Sequence, residues 1–229
     1  MHLLVEFSVS YISFKKDSLA QFTTSDLIRK IDFSEGSPYL KKRKDFATKT
    51  YYYVVDTTGN ELYWFGIDFS NVRITLDSEP RINYGSLFFQ DCNDFAFIDP
   101  SFQEFRKYFN LKIDTGDVIA RNNRIYVKSI YNIPGEVISI DNMRSIINTF
   151  HAGGNGIGVV IFVSDINKEI EFVTFYVTFF DIKSKSVLLS LKETAKGWGI
   201  GVARHWTKGI HDYLLNLIKR HSWKKKYTS

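Results

Sequence analysis

The segment from Ile157 to Lys219 constrains the fold more than any other part of this 229-residue chain. It contains three apolar runs, then a glycine-rich turn, then an amphipathic run. The middle apolar run has apolar side chains on both faces of an extended backbone, which is typical of a central strand covered on each side. The intervening turns are short enough for hairpins. The pattern therefore predicts three consecutive antiparallel strands, over Ile157–Ser164, Ile170–Phe180 and Val187–Glu193.

The amphipathic run that follows the glycine-rich turn has the period of a helix. Its apolar residues recur three or four positions apart, at Ala203, Trp206, Ile210, Leu214 and Leu217. Such a stripe buries one side of a helix against a neighbouring layer. We therefore predict that a long helix closes the fold by packing on the sheet.

Two further helices are predicted from local signals. One begins after Asp99, which is a suitable N-cap, and a proline follows at the first helical position, where its missing N–H costs no hydrogen bond. Phe102, Phe105 and Phe109 would form its buried stripe. The other covers Met143–Phe150. The fold class predicted is α+β, with a mainly antiparallel or mixed sheet, two or three helices on it, and the long C-terminal amphipathic helix.

The remainder of the chain predicts mostly short strands. Alternating polar and apolar residues indicate half-buried strands, and turn-forming residues between two such runs indicate hairpins. The predicted elements are strands over 3–12, 72–76 and Leu87–Phe89, hairpins joining 51–55 to 62–67 and Val118–Ala120 to Ile125–Ile130, a helix from Thr24, and a loop at Lys41–Lys44. We expect one continuous domain, with a β-rich part over 1–95, an α+β part over 96–221 and a basic tail over 222–229.

Positive charge is concentrated at the C-terminus. The whole chain has a net charge of +5, whereas residues 204–229 hold seven Lys and Arg against the single acid Asp212. The basic character therefore belongs to this end and not to the whole fold. The cations of the tail are Lys219, Arg220, Lys224, Lys225 and Lys226. They predict weak contact with anionic lipid headgroups or with nucleic-acid phosphates, or a solvated helix end whose cations oppose the helix dipole. No motif predicts recognition of bases, and the charge is confined to one end, so nucleic acid is the less favoured partner.

The glycine-rich turn is the best candidate for a binding site. It lies between a strand and a helix, where free N–H groups and the helix dipole favour an anion. The candidate residues are Lys196, Gly197, Gly199, Gly201 and Arg204. However, the Lys-Ser/Thr pair that ends a phosphate-binding P-loop is missing, because Val202 and Ala203 follow the last glycine. The alternative is that the glycines let the backbone pass close to the two neighbouring tryptophans as helix and sheet pack.

The sequence contains no catalytic or metal-binding pattern. Cys92 is the only cysteine, so an intramolecular disulfide and a cysteine-rich metal site are excluded. Asp91 and Asp94 flank this thiol and would raise its pKa, so we expect it to be inert. His205 and His211 lie six residues apart on the predicted helix and do not share a face. We therefore expect no catalytic residues, no metal and no cofactor.

Four segments near the C-terminus carry a family resemblance. They are Tyr176–Ile182, Val187–Leu189, Gly197–Gly201 and Arg204–Trp206, with Gly156-Ile157-Gly158 before them. Together they resemble a family of bacterial proteins of unknown activity that share the ending "VTFFDI…VLL…GKAxGFGFRNYW". Many of its members are exported, lipid-anchored envelope proteins. The resemblance covers the C-terminal third well and the first hundred residues hardly at all.

The resemblance implies a location and a class of function. It implies a periplasmic or envelope-associated protein, whereas a natural start at Met1, which no export signal follows, would imply the cytoplasm. By analogy of fold, the layout is similar to that of outer-membrane accessory lipoproteins that assist secretion pores or activate cell-wall synthases. We therefore expect a non-enzymatic interaction or assembly protein with a protein partner. The alternative is a protein that binds a small molecule or a nucleotide-like anion at the glycine-rich turn.

Overall fold

The computed structural model describes residues 4–7, 40–44, 51–56, 60–75, 86–126, 129–131, 137–200 and 202–226, and it confirms the α+β class. The described strands are Leu4–Phe7 (β1), Leu40–Lys44 (β2), Tyr51–Asp56 (β3), Leu62–Asp68 (β4), Arg73–Thr75 (β5), Lys112–Ile113 (β6), Ile157–Asn167 (β7), Phe172–Asp181 (β8) and Val187–Lys196 (β9). The described helices are Ser86–Ala96 (α1), Pro100–Phe109 (α2), Gly116–Asn122 (α3), Ile140–Ile147 (α4) and Val202–Lys226 (α5).

The main sheet is mixed and has six strands, in the order β6-β4-β7-β8-β9, with β5 also paired to β7. Strands β7, β8 and β9 are antiparallel neighbours, which confirms the three consecutive strands predicted from the sequence. Strands β4 and β5 run parallel to β7. The sheet therefore combines strands from both of the parts into which we divided the chain.

Helices cover both faces of this sheet. On one face, a core that includes Trp64, Phe102, Phe175 and Ile210 joins the sheet to α1, α2 and α5. On the other, Phe65, Phe180 and their neighbours pack against α3 and α4. The consecutive buried positions of β8 follow from this double cover, as its apolar sequence predicted.

Two pairing predictions in the first half of the chain are wrong. Strands β3 and β4 both exist, but they do not form a hairpin: β3 pairs with β1 and β2 in a separate three-stranded sheet, whereas β4 pairs with β7 and β6. Lys41–Lys44 is not a loop, because it lies in β2 and pairs with β3. A partner distant in sequence decided the pairing of β4, whereas β2 pairs with the next strand along the chain although it carries four consecutive cations; tertiary context outweighed the local turn signal in the first case and the local charge signal in the second.

Two predicted strands are helices. Leu87–Phe89 lies in α1 and Val118–Ala120 lies in α3. Short apolar runs do not distinguish a strand from one buried helical turn, and this ambiguity also explains why five helices are described where two or three were predicted. The helices predicted after Asp99 and around Met143 are confirmed. The helix predicted from Thr24 lies outside the described residues.

Candidate functional site

The turn between α1 and α2 holds a buried carboxylate. Asp99 is the N-cap of α2, as predicted, and its Oδ1 accepts hydrogen bonds from the backbone N–H groups of Ser101 (3.0 Å) and Phe102 (3.2 Å). Its side chain is fully buried. A buried carboxylate is costly unless hydrogen bonds or opposite charges compensate it, and α5 supplies the compensating charge.

Lys208 of α5 reaches this carboxylate and joins it to two other polar groups. Its Nζ lies 3.3 Å from Asp99 Oδ2 and 2.5 Å from Asp212 Oδ1. The ammonium also donates to Ser101 Oγ at 2.8 Å, and Ser101 Oγ donates to Asp212 at 2.8 Å. Lys208 and Asp212 are four residues apart on one helix, so their side chains face the same way. We call Asp99, Ser101, Lys208, Asp212 and Trp198 the polar network.

Trp198 connects the glycine-rich turn to this network. Its indole Nε1 donates to Asp212 Oδ2 at 3.0 Å. The Nζ of Lys208 lies 5.2 Å from the centre of the indole ring, close enough for a cation–π contact. The turn is also held by its backbone, since the Trp198 N–H donates to the His205 carbonyl at 2.8 Å. The network therefore fixes the orientation of a side chain that remains about half exposed.

His211 lies beneath the network and is fully buried. Its ring stacks near Phe95 and Phe102, with centroids 5.6 and 5.5 Å apart. Its Nδ1 lies 3.5 Å from Asp99 Oδ1, and neither ring nitrogen makes a hydrogen bond to a described residue. Burial lowers the pKa of His211, against the opposing effect of Asp99. Burial raises the pKa of Asp99, but His211, the Phe102 N–H and Lys208 outweigh it and bring this pKa to about 2.

We expect the stability of the protein to fall in mild acid because of His211. The unfolded chain binds a proton at this residue near its ordinary pKa of 6.5, whereas the folded protein resists protonation to a lower pH. The unfolded state therefore holds more protons below about pH 6.5, and the free energy of unfolding decreases as the pH falls through this window. Urea unfolding of wild type and His211→Gln between pH 7.5 and 5 measures the effect. A His211→Gln variant with the wild-type slope would contradict this origin.

The polar network does not present Ser101 as an activated nucleophile. The Ser101–Lys208 contact has the spacing of a nucleophile and its base, but Lys208 Nζ donates to Ser101 Oγ and to Asp212 Oδ1 and lies 3.3 Å from Asp99 Oδ2, so it acts as a donor to the serine and not as an acceptor of its proton. Ser101 and Lys208 are both buried. Within the described part of the chain, no group of three or more His, Cys, Asp or Glu side chains could hold a metal ion. The arrangement orients Trp198 and joins α5 to α2.

The glycines of the turn are placed as follows. Gly197 is buried, and a Cβ added to it would lie 2.7 Å from His205 Nε2 and 3.1 Å from Trp206 Cε3. The geometry at Gly197 thus fits the close approach of helix and turn. Gly199 has a φ of +111°, a backbone conformation that other residues rarely adopt. Gly201 lies outside the described residues.

The two cations of the predicted anion site have other neighbours. Lys196 Nζ lies 3.9 Å from Glu171 Oε2, and the Arg204 guanidinium lies 5.6 Å from the centre of the Phe95 ring. Anion binding by these residues stays a prediction.

We expect Gly199→Ala to destabilise the protein without altering its surface chemistry. A residue with a Cβ is strained at this φ, and the added carbon would lie 3.2 Å from Arg204 Cγ, so we expect a loss of about 1–2 kcal/mol. Thermal unfolding would show this as a lower Tm. Gly153→Ala is a matched control, because a Cβ there meets nothing within 4 Å. Equal Tm values for both variants would contradict the role of the positive φ.

Several other candidate residues are structurally ordinary. Cys92 is fully buried, and burial, followed by the charge of Asp91, raises its pKa well above the ordinary value, so the inert thiol is what the geometry favours. The backbone of α5 extends to Lys226, but the side chains of the basic tail lie outside the described residues, and contact with anionic lipid stays a prediction.

A shallow surface cavity of about 240 Å³ lies on α2 around Arg106, Lys107 and Leu111, and no predicted site residue lines it.

Sequence reasoning missed the polar network. It identified Asp99 only as a helix cap and counted Lys208 and Asp212 only as charges. The four-residue spacing of Lys208 and Asp212 was the one signal that could have indicated their pairing. That Asp99 and Trp198 join them depends on contacts between segments far apart in sequence, which no local pattern encodes.

The comparisons with known proteins add no family. No protein-family model and no curated protein matches this chain. Among the described helices, none combines the length and the apolar character that crossing a bilayer requires.

Proposed function

We propose that the protein is a non-enzymatic interaction or assembly module associated with the bacterial cell envelope, acting through a protein partner. The envelope location is supported by the family resemblance of the C-terminal third. One observation above all supports the interaction role: an exposed apolar surface lies next to the polar network, which holds Trp198 in place. We call Ile98, Trp198, Ile200 and Arg204 the turn surface.

The side chains of the turn surface are more exposed than large apolar groups usually are. Ile98 is 74% exposed, Ile200 is 92% exposed and Trp198 is 49% exposed. Their segments adjoin: Ile98 precedes Asp99, which contacts Lys208, and Lys208 lies under Trp198. Contiguous exposed apolar groups commonly mark protein interaction sites.

The composition and rigidity of the turn surface favour a protein partner. Trp and Arg are the residues most enriched among those that dominate binding energy. Trp198 is held by Asp212 and Lys208, so little side-chain entropy would be lost when a partner covers it. The proposal also includes α5 as the closing element of the fold, because its residues Trp206, Ile210 and Leu214 are buried.

Site-specific photo-crosslinking in the native host tests the proposal. A benzoylphenylalanine at Ile200 should give a crosslinked product with one protein partner that is recovered in the envelope fraction. Lys183 is a matched control, because it is exposed and follows the opposite end of β8 from the one near the glycine-rich turn. Equal product at both positions would overturn the interaction role, and recovery in the cytoplasmic fraction alone would overturn the location.

A further inference from the structure

Strand β9 is the edge of the main sheet among the described strands. An edge strand presents alternate N–H and C=O groups away from its neighbour, and these can pair with another strand. Which residues of β9 present them follows from its register with β8. Phe172 lies opposite Lys196 and Thr174 opposite Thr194.

One backbone bond fixes the alternation of hydrogen-bonded pairs. The Gly197 N–H donates to the Glu171 carbonyl at 2.7 Å, so this pair is of the hydrogen-bonded type. In an antiparallel ladder the two types alternate, so the bonds to β8 fall at odd-numbered residues of β9. Ser190, Lys192 and Thr194 consequently direct their N–H and C=O groups outward.

A side-chain contact agrees with this assignment. Directly opposed residues that are not hydrogen-bonded lie closer together than hydrogen-bonded ones, and the hydroxyls of Thr178 and Ser190 are only 2.9 Å apart. No hydrogen bond from another described backbone group reaches the outward groups of Ser190, Lys192 or Thr194. At the far end, a Cβ on Gly209 would lie 2.6 Å from the Lys196 carbonyl, so α5 covers the edge beyond Thr194.

We propose that β9 takes up an extended, acidic segment of another protein as an additional antiparallel strand. Addition of a strand to an open edge uses main-chain hydrogen bonds for affinity and side-chain contacts for specificity. This edge would bind through backbone groups of β9 and not through the side chains of the turn surface, so either proposal can fail without the other.

Charge determines the chemistry of the added strand. Lys192 and Lys196 are exposed, and they lie on the same face of β9 because they are an even number of residues apart. Each lysine has one acid nearby: Glu171 forms an exposed ion pair with Lys196 at 3.9 Å, and Asp165, which accepts a hydrogen bond from Thr75, lies close enough to Lys192 for that charge to oppose the rise in its pKa that burial causes. Ion pairs this exposed are weak, so both ammonium groups remain accessible to an added strand. Opposite charges across a strand pair stabilise it and like charges destabilise it, so Glu or Asp side chains opposite the lysines are favoured.

A second copy of this chain fits the edge poorly. If two β9 strands paired with Lys192 at the centre, the two lysines would face each other directly. If they paired one residue further along, Glu193 would face its own copy. Both registers place like charges directly opposite each other, which is destabilising. The register centred on Leu191 avoids this, but it places Thr194 opposite Leu188, where the register of β9 with β8 is irregular, so the regular ladder would be limited to Ser190 and Lys192.

Amide hydrogen exchange of the purified full chain tests the proposal with a defined probe. The probe is a seven-residue peptide in which glutamate and valine alternate. At saturation, exchange at Ser190, Lys192 and Thr194 should slow by about fivefold or more, since each new bond contributes about 1 kcal/mol. Leu191 and Glu193 already bond to β8 and serve as internal controls, with no change expected.

Two variants separate backbone pairing from other binding. Thr194→Pro removes an outward N–H and should weaken peptide binding about fivefold or more, while Thr194→Ala keeps this N–H and should bind like wild type. Proline at an edge position facing solvent is compatible with the fold. Unchanged exchange, equal protection by a lysine–valine peptide, or protection that rises with protein concentration in the absence of peptide would each overturn the proposal, the last in favour of self-pairing.

Discussion

Asp99→Ala should lower the free energy of unfolding by about 3 kcal/mol, because it breaks a buried charge pair and leaves Lys208 with only the partly exposed Asp212 as an ionic partner. The Nζ of Lys208 lies 3.3 Å from Asp99 Oδ2, and both side chains are almost completely buried. The substitution also removes the cap of α2, which is worth about 1 kcal/mol. Urea unfolding at pH 7 measures the loss.

Two further variants divide this loss between the cap and the charge. Asp99→Asn keeps a side-chain oxygen for the cap but removes the charge, so we expect about 2–3 kcal/mol. Ser139→Ala removes a cap alone, since Ser139 Oγ accepts from the Asn142 N–H at the exposed start of α4, and should cost about 1 kcal/mol. Equal losses for Asp99→Ala and Ser139→Ala would show that the buried pair contributes nothing.

The free energy of unfolding at acidic pH gives an independent measure of what the Asp99 charge contributes. The pKa of Asp99 is lowered to about 2 from 3.8, so its carboxylate stabilises the folded state above pH 3.8. This contribution, about 2 kcal/mol, is lost as the pH falls from about 4 to 2, because the unfolded chain takes up a proton at this residue while the folded protein does not yet bind it. In Asp99→Asn this part of the decline should be absent.

The C-terminal half of the fold was predictable because its signals are local. Strands β7 to β9 follow one another through short turns, and Asp181 accepts from the N–H groups of Lys183 and Ser184 in the second of these turns. In the first half of the chain, helix α2 was also predicted from a local signal, namely Asp99 and the proline that follows it. Where neighbours in sequence are neighbours in space, pattern and propensity are sufficient.

The placement of β4 could not be predicted in the same way. Its sequence predicts a strand but not its parallel partner β7, which comes after four helices. The hairpin with β3 was therefore the wrong choice between two pairings that local sequence does not distinguish. The same contrast between local and long-range signals applies to the candidate site. The glycine-rich turn can be recognised in the sequence, whereas the polar network forms only because α1, α2 and α5 come into contact.

Part of the edge of β4 is completed by side chains, which explains a large expected effect of Asn93→Ala. Strand β6 pairs only with Tyr63 and Trp64. Beyond them, Asn93 of α1 takes the place of a strand: its Oδ1 accepts from the Ile67 N–H at 2.7 Å, and its Nδ2 donates to the Ile67 carbonyl at 2.9 Å. Asn122 also donates to that carbonyl, at 2.8 Å.

Removing the Asn93 amide should lower the free energy of unfolding by about 3 kcal/mol. The Ile67 carbonyl keeps Asn122, but the buried Ile67 N–H loses its partner, and an unsatisfied buried donor costs about 1–3 kcal/mol in addition to the cavity left behind. Chemical denaturation measures the loss. Asn123→Ala is the matched control, because Asn123 is exposed and its loss should stay within about 0.5 kcal/mol.

A double-mutant cycle with Gly66 tests whether Asn93 acts through this contact. A Cβ on Gly66 would lie 2.7 Å from Asn93 Oδ1, and the φ of Gly66 is +107°. Gly66→Ala therefore carries both a backbone strain and a clash, and only the clash disappears in the Asn93→Ala background. We expect the cost of Gly66→Ala to be smaller in that background by about 1 kcal/mol or more. If the losses of free energy of unfolding in the two single variants simply add up in the double variant, then the Asn93 amide does not lie as close to residue 66 as this geometry requires.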